Sequence, residues 1–271
     1  MSSLANRVIV LTGASRGIGR ALASGLAEGG AKLVLCATRA SADALRAIAK
    51  RIEESCGGEV LTCLLDVTSP EDCEACIAAA VKRFGSVHAL VNNAGLGMDK
   101  VGPRTGNTRQ FYNVAPEVWR SMVDVNVNGP FFMARAVMPV FRQNAQGRIV
   151  NVTTSYDTML REFFTPYGPS KAAVEAMTVA WAKDLTGTGV LVNAVCPGGG
   201  VDTRMMPRAD FPDRAKLLPP QIMVPPVAWL CSEESAGITG MRIVAKRWDA
   251  KLPGREAFSR SAARMSIKDA R

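Results

Sequence analysis

The chain has 271 residues, of which 48% are apolar, 21% charged and 6% aromatic, an ordinary globular composition that excludes a disordered or fibrous chain. Its formal net charge is +9, and residues 246–271 hold eight Lys/Arg against three Asp/Glu; these charges are scattered over a tail that also has Pro253 and Gly254 rather than set in a basic stripe, which points away from a nucleic-acid binder. No apolar run reaches the roughly 18 residues of a membrane span, and the start through Arg7 lacks the regions of a secretory leader, so the expectation is a soluble cytoplasmic protein with neither membrane nor nucleic acid as partner.

In chain order, apolar β-branched runs alternate with longer helical patterns. Strands are expected over 7–11, 32–36, 60–65 and 88–91, with helices ending near 28 and over 42–56 and 70–84. The second half continues with a long helix over 117–143, a strand over 148–152, a helix over 166–185, a strand over 190–195, a helix near 227–231 and a strand over 241–244. Strands that are apolar almost throughout belong in a parallel sheet covered on both faces. The alternation therefore implies an α/β fold with a doubly wound parallel sheet, the Rossmann fold, in a single domain. Residues 1–252 are assigned to this dinucleotide-binding and catalytic domain, and 253–271 to a basic C-terminal tail, either solvated or docked on a neighbouring subunit.

Seven cysteines in such a chain are expected to be free thiols. Cys73-Glu74-Ala75-Cys76 has no second pair at zinc-finger spacing and His88 is the single histidine, so a tetrahedral zinc site lacks ligands and no metal is expected. Ser69-Pro70-Glu71-Asp72 just before it reads as a helix start, which makes the two cysteines small residues on a helix.

Two stretches break the rhythm. Residues 96–114 are rich in Gly, Asn, Arg and Thr, and residues 201–224 carry several prolines with Met205, Met206 and Phe211. Both follow strand ends, where open α/β sheets bind ligands and where long loops are usually functional. They are the candidate walls of a substrate pocket, with Met98, Phe111, Met159, Met205, Met206, Phe211 and Leu217 as an adaptable apolar lining. Arg104, Arg109 and Arg161 either bind a substrate carboxylate or face water.

Thr12-Gly13-Ala14-Ser15-Arg16-Gly17-Ile18-Gly19 follows the first strand and opens the first helix. Glycines there permit a tight turn and close backbone approach to a pyrophosphate, and a helix N-terminus offers the anion unpaired N–H groups and a partial positive charge. The spacing GxxxGxG differs from the generic GxGxxG fingerprint. It resembles the loop of the short-chain dehydrogenase/reductase family. Asn92-Asn93-Ala94-Gly95, Asn126 in Val125-Asn126-Val127-Asn128-Gly129, Tyr167-Gly168-Pro169-Ser170-Lys171 and Pro197-Gly198 are similar to that family's motifs, in its order, over about residues 5–245.

The resemblance implies a cofactor site made of Gly13, Ser15, Arg16, Gly17, Ile18 and Gly19, then Asn93, Ala94 and Gly95, with Asp66 and Val67 at the adenine and Tyr167 and Lys171 at the nicotinamide ribose. Pro197, Gly198, Val201 and Thr203 are expected at the nicotinamide amide, although Pro197-Gly198-Gly199-Gly200-Val201 holds one residue more than most members. A carboxylate ending the second strand would bind the ribose of NAD, whereas a cation there accommodates the phosphate of NADP. Here that strand ends Cys36-Ala37-Thr38-Arg39, so Thr38 and Arg39, with Arg16, favour NADP(H), with NAD(H) as the alternative.

For catalysis the resemblance implies Tyr167 as general acid/base on the substrate oxygen. Lys171 would lower its pKa and bind the nicotinamide ribose, and Asn126 would hold a water in a proton relay ending at Lys171. The family's serine corresponds to Thr154, whose hydroxyl has the same donor and acceptor capacity. Ser155 would point to the other side if the strand continued, and a loop shift would bring it in instead. The expected activity is hydride transfer between a nicotinamide and a small carbonyl or alcohol, in a homodimer or homotetramer built through the long helices. The alternative is a dinucleotide-binding regulatory protein with little turnover.

Overall fold

The computed structural model describes residues 3–102, 107–206 and 211–264. Strand β1 (Val8–Thr12) is buried at every position and pairs in parallel with β2 (Lys32–Ala37), Val8 opposite Lys32 and Thr12 opposite Cys36. Its alternate residues face opposite ways, Ile9 and Leu11 into one apolar layer and Val8 and Val10 into the other, as the two-residue period of a strand requires. Five further parallel strands follow: β3 (Val60–Leu64), β4 (Ala89–Asn92), β5 (Gly147–Val152), β6 (Val190–Cys196) and β7 (Met241–Val244). With the short β8 (Ala262–Arg264), antiparallel to β7, the sheet order is β3-β2-β1-β4-β5-β6-β7-β8.

Helices cover both faces, as a parallel sheet demands. On one face α1 (Gly17–Glu28), α2 (Ala42–Cys56) and α8 (Val224–Cys231) bring Leu22, Leu26, Leu45, Ile52 and Trp229 onto Ile9, Leu11, Leu33 and Leu35. On the other, α3 (Pro70–Phe84) and α5 (Gly129–Gln143) bring Ile77, Met133, Val137 and Phe141 onto Val8, Val10 and Ile149. Helix α7 (Tyr167–Asp184) lies beside β6. Cys73 and Cys76 are buried on α3, and Ser69 caps that helix by accepting from the Asp72 amide at 3.1 Å.

The helix expected over 117–143 is not continuous. It divides into α4 (Pro116–Val123), a π-turn over Asp124–Asn128, and α5. Pro130 has no N–H to give the carbonyl of residue 126, four positions earlier, so the α-helical ladder cannot run through. Inserted π-turns of this kind recur at functional sites, and this one carries Asn126.

Within the segment expected as a tail, residues 254–264 are not solvated chain: they form α9 (Gly254–Ser261) and β8, with Phe258 stacked on Trp229 at 5.2 Å between centroids and Ala257 and Ser261 fully buried. The ring contact adds a buried aromatic pair and the strand covers the edge of β7. No helix among the described residues is long and apolar enough to cross a membrane.

Candidate active site

Loops at the carboxyl ends of β1, β2, β4, β5 and β6 enclose a cleft of 640 Å³. It lies where the strand order reverses between β1 and β4, the crevice at which open α/β sheets take ligands. Gly13, Ser15, Arg16, Gly17, Ile18, Gly19, Thr38, Asp66, Val67, Asn93, Ala94, Gly95, Thr154, Tyr167, Lys171, Pro197, Gly198, Val201 and Thr203 all line it.

At one end the glycine loop forms a cradle. Gly13 and Gly17 have φ of +65° and +54°, left-handed values that glycine adopts without strain. A Cβ on Gly13 would stand 2.8 Å from Ala94 Cα, and one on Gly19 would stand 2.1 Å from the Gly13 carbonyl oxygen. Asn93 fastens this contact: its Nδ2 donates to the carbonyls of Thr12 at 2.9 Å and Gly13 at 3.1 Å, while the amides of Asn93 and Ala94 both donate to Thr12 Oγ1 at 3.0 Å. The first turn of α1 has no acid and no side-chain cap, so its amides and its positive end are left for an anion.

The neighbouring strand ends set the rest of that half. Thr38 and Ser41 line the cleft, while Arg39 is exposed just outside the lining. Arg16, the N-cap of α1, is therefore the cation of the pair that reaches the lining. The Asp66 carboxylate accepts from the Thr68 amide and hydroxyl at 2.9 and 2.8 Å, which fixes the turn in front of the buried Val67. The additional residue in the Pro-Gly loop is absorbed by Gly198, at φ +85°, and its neighbours. Val201 bridges to Leu218, and Thr203 reaches over the glycine loop so closely that a Cβ on Gly17 would lie 3.1 Å from its methyl.

At the other end, β5 stops at Val152 and the chain turns into the one-turn helix α6 (Tyr156–Met159). Ser155 is consumed by that turn: it caps α6, accepting from the Thr158 amide at 3.3 Å, and shares a 2.9 Å hydrogen bond with the Thr158 hydroxyl. The Thr154 side chain instead stands on the cleft wall with Tyr167, whose ionised form it favours. Lys171, one turn beyond Tyr167 on the same helix face, is buried and donates from Nζ to the Val152 carbonyl at 2.9 Å. Asn126 is fully buried and locked: Oδ1 accepts from the Leu96 amide at 2.8 Å, and Nδ2 donates to the Leu96 carbonyl and the Ser170 hydroxyl at 3.0 Å each.

Burial governs both ionisable groups. It pushes the Tyr167 hydroxyl up to about 12, against Thr154, which works downward. It pulls the Lys171 ammonium down to about 8. Desolvation of the phenolate thus outweighs its local partner; the lowering that the resemblance implies is assigned to Lys171 together with the positive charge of a bound nicotinamide.

The substrate end is apolar with basic members. Met98, Met205, Met206, Phe211 and Leu217 line it, as expected, but Phe111 and Met159 do not. Phe111 sits in an exposed surface turn, edge-on to Tyr112, and Met159 is buried in α6 with its backbone against Gly168. Arg161 lines the cleft with its guanidinium over the Phe164 ring, 5.2 Å from the centroid, and Arg109 lines it while donating to the Gly102 carbonyl at 2.9 and 2.7 Å. Arg104 lies outside the described residues. Ser41, Leu65 and Thr153 line the cleft without having been singled out from sequence; each follows a strand run, which is the signal that was there to read.

Among known proteins, the family model described as short chain dehydrogenase matches residues 7–211. The chain is 34% identical to a 3-oxoacyl-(acyl-carrier-protein) reductase of Vibrio cholerae, over 88% of this chain and 95% of that protein. It is 33% identical to a fluoren-9-ol dehydrogenase of a Terrabacter species, over 91% of this chain and 72% of that one. Among solved structures, a short chain dehydrogenase of Shigella flexneri complexed with NADP superposes with a TM-score of 0.79 at 29% identity, covering 91% of this chain and all of that one. A dinucleotide cradle and a Tyr-Lys helix lining one cleft, in a chain that the family model matches over most of its length, make this protein a member of the short-chain dehydrogenase/reductase family, an oxidoreductase with a nicotinamide dinucleotide cofactor.

Proposed function

We propose that the protein interconverts a carbonyl and a secondary alcohol on a small molecule, using NADP(H) and Tyr167 as general acid/base. The observation that carries this reading is that Thr154, Tyr167 and Lys171 line the same cleft as the glycine cradle, with Lys171 buried one turn along from Tyr167. The residues present fit a dinucleotide. The bare first turn of α1 and the cradle that a Cβ would fill suit the pyrophosphate, Asp66 and Val67 the adenine, and Asn93 to Gly95 with Tyr167 and Lys171 the ribose. Pro197, Gly198, Val201 and Thr203 are assigned to the amide. When bound, the nicotinamide supplies or accepts the hydride.

The chain's own groups manage the proton. A tyrosine pushed up to about 12 is protonated at neutral pH, so it stands ready to donate to a carbonyl oxygen as that oxygen gains charge. Thr154 offers the same oxygen a second hydrogen bond. Lys171, at about 8, still carries its proton at pH 7, and places an ammonium beside the phenolate formed by proton donation. Asn126 sits in a π-turn, an irregularity that recurs at functional sites, which supports its assignment to the relay.

NADP is favoured over NAD by the absence of a carboxylate after β2 and by Arg16 on the cleft wall, a guanidinium being a good phosphate partner. A homodimer or homotetramer through α4, α5 and α7 is supported by Trp119 and Phe131, which are 44% and 45% exposed on α4 and α5. The test is a screen of ketones and secondary alcohols with both cofactors, followed by Tyr167→Phe on whichever substrate turns over. The expected result is a loss of about 10²–10⁴-fold in kcat with NADP(H) affinity retained. Near-wild-type turnover by Tyr167→Phe would overturn the mechanism, and NADP(H) binding with no turnover on any substrate would favour the regulatory alternative.

A further inference from the structure

Arg242 on β7 and Glu175 on α7 form an ion pair buried at both ends, with side chains 6% and 5% exposed. Such a pair is a weak source of stability, because desolvating two charges offsets their attraction and apolar replacements are often neutral. This pair is not even saturated: Glu175 Oε2 is buried without a hydrogen-bond partner. What the two side chains do achieve is to hold one short stretch of backbone. Glu175 Oε1 accepts from Arg242 Nε and from the Thr153 hydroxyl, both at 2.8 Å. Arg242 Nη2 donates to the Thr154 carbonyl at 2.9 Å, and its Cζ stands 4.2 Å from the centre of the Tyr156 ring.

That stretch has few other anchors. The sheet's last backbone bond is from the Thr153 amide to the Val195 carbonyl at 2.9 Å, and the next fixed point is the Ser155 cap of α6. Thr154 sits between them, where the chain leaves the sheet. The guanidinium is a rigid fork, so one side chain ties the Thr154 peptide to a carboxylate on the same helix as Tyr167 and Lys171. Glu175 is one turn past Lys171, on its face of α7.

We propose that Arg242 and Glu175 are positioning residues for the reaction: they clamp the Thr154 peptide to the helix of Tyr167 and so fix the distance between the two hydroxyls that meet the substrate oxygen. The clamp rests on the reading of Thr154 and Tyr167 given above. It also gives β8 a role, since Ala263 pairs opposite Arg242 and covers that edge of β7.

Arg242→Lys keeps the charge but reaches only one of the two partners, and Glu175→Gln keeps the shape but not the charge. Each is expected to lower kcat by about 10- to 100-fold, the scale of a misplacement near 1 Å, with NADP(H) affinity within about twofold of wild type. Hydrogen exchange in the protein without cofactor should quicken over residues 153–159 and stay unchanged over the glycine loop. In the double variant E175M/R242M, melting temperature should hold while kcat stays low; should that variant fail to fold, the two single variants decide.

Wild-type kcat in either single variant, or in a folded double variant, overturns the clamp. So does a slow variant in which exchange quickens across the sheet and cofactor affinity falls together with the rate, since that is general destabilisation. Thr154→Val separates the two levels. If it is slow while Arg242→Lys is fast, the clamp alone fails; if it is fully active, the reading of the site fails and the clamp with it.

Discussion

The two ends of the cleft are built in opposite ways. The cofactor end is made of strand ends and backbone: positive φ at Gly13 and Gly17, the Thr12–Asn93 ties, and a helix terminus without a cap. The substrate end is made mostly of side chains on two long loops, Met98 and Arg109 on one and Met205, Met206 and Phe211 on the other, with Arg161 after α6. Backbone geometry has few solutions and selects one class of ligand, whereas methionines repack around many. The difference teaches that the cofactor class can be assigned from this protein while its substrate cannot be read from the lining alone.

The comparison breaks most easily at the cradle. Gly19→Ala would set a methyl against the Gly13 carbonyl oxygen, 2.1 Å away, and backbone cannot move aside as a side chain can. The expected outcome is a loss of about 10²–10³-fold in NADP(H) affinity, or roughly 3–4 kcal/mol, measured by nicotinamide fluorescence. Affinity within threefold of wild type would show that the loop is less constrained than its geometry requires.

A smaller effect is expected where the two ends meet. Thr154→Val removes the hydroxyl assigned to the substrate oxygen and keeps the shape, for an expected loss of about 10²-fold in kcat. Ser155→Ala removes only a one-turn cap and should change kcat by less than about threefold while lowering the melting temperature slightly. Thr154→Ser should retain activity. Steady-state kinetics and thermal melts on the three variants check this, and the reverse ranking of Thr154→Val and Ser155→Ala would move the catalytic hydroxyl to Ser155.

The smallest effect belongs to the substrate loops. Met206→Leu conserves volume and apolarity and should shift KM for a small ketone by no more than about threefold, as volume-conserving apolar swaps usually do, with kcat and NADP(H) affinity unchanged. A change above tenfold confined to one substrate would show that Met206 is a specific contact and would sharpen the substrate search.

Much of this was legible in the sequence because it is local. Apolar runs gave the seven parallel strands to within one or two residues, Gly13 to Gly19 could only be a tight turn into a helix, and Tyr167 and Lys171 share a face at any helical spacing of four. The separation of Thr154 from Ser155 is different: β5 ends at Val152, so strand alternation does not reach these residues, and the Ser155 cap of α6 is what sets the two hydroxyls apart. Tertiary structure alone decided the rest. That Arg39 stands outside the cleft lining while Arg16 reaches it and that Phe111 faces solvent both depend on what surrounds each group. Arg242 is 67 residues from Glu175 and 88 from Thr154. Nothing local marks it, because its function arises only when β7 is laid beside β6 and α7 is folded over them: hydrogen bonds between distant residues are set by topology, whereas turns and helix faces are set by the residues that make them.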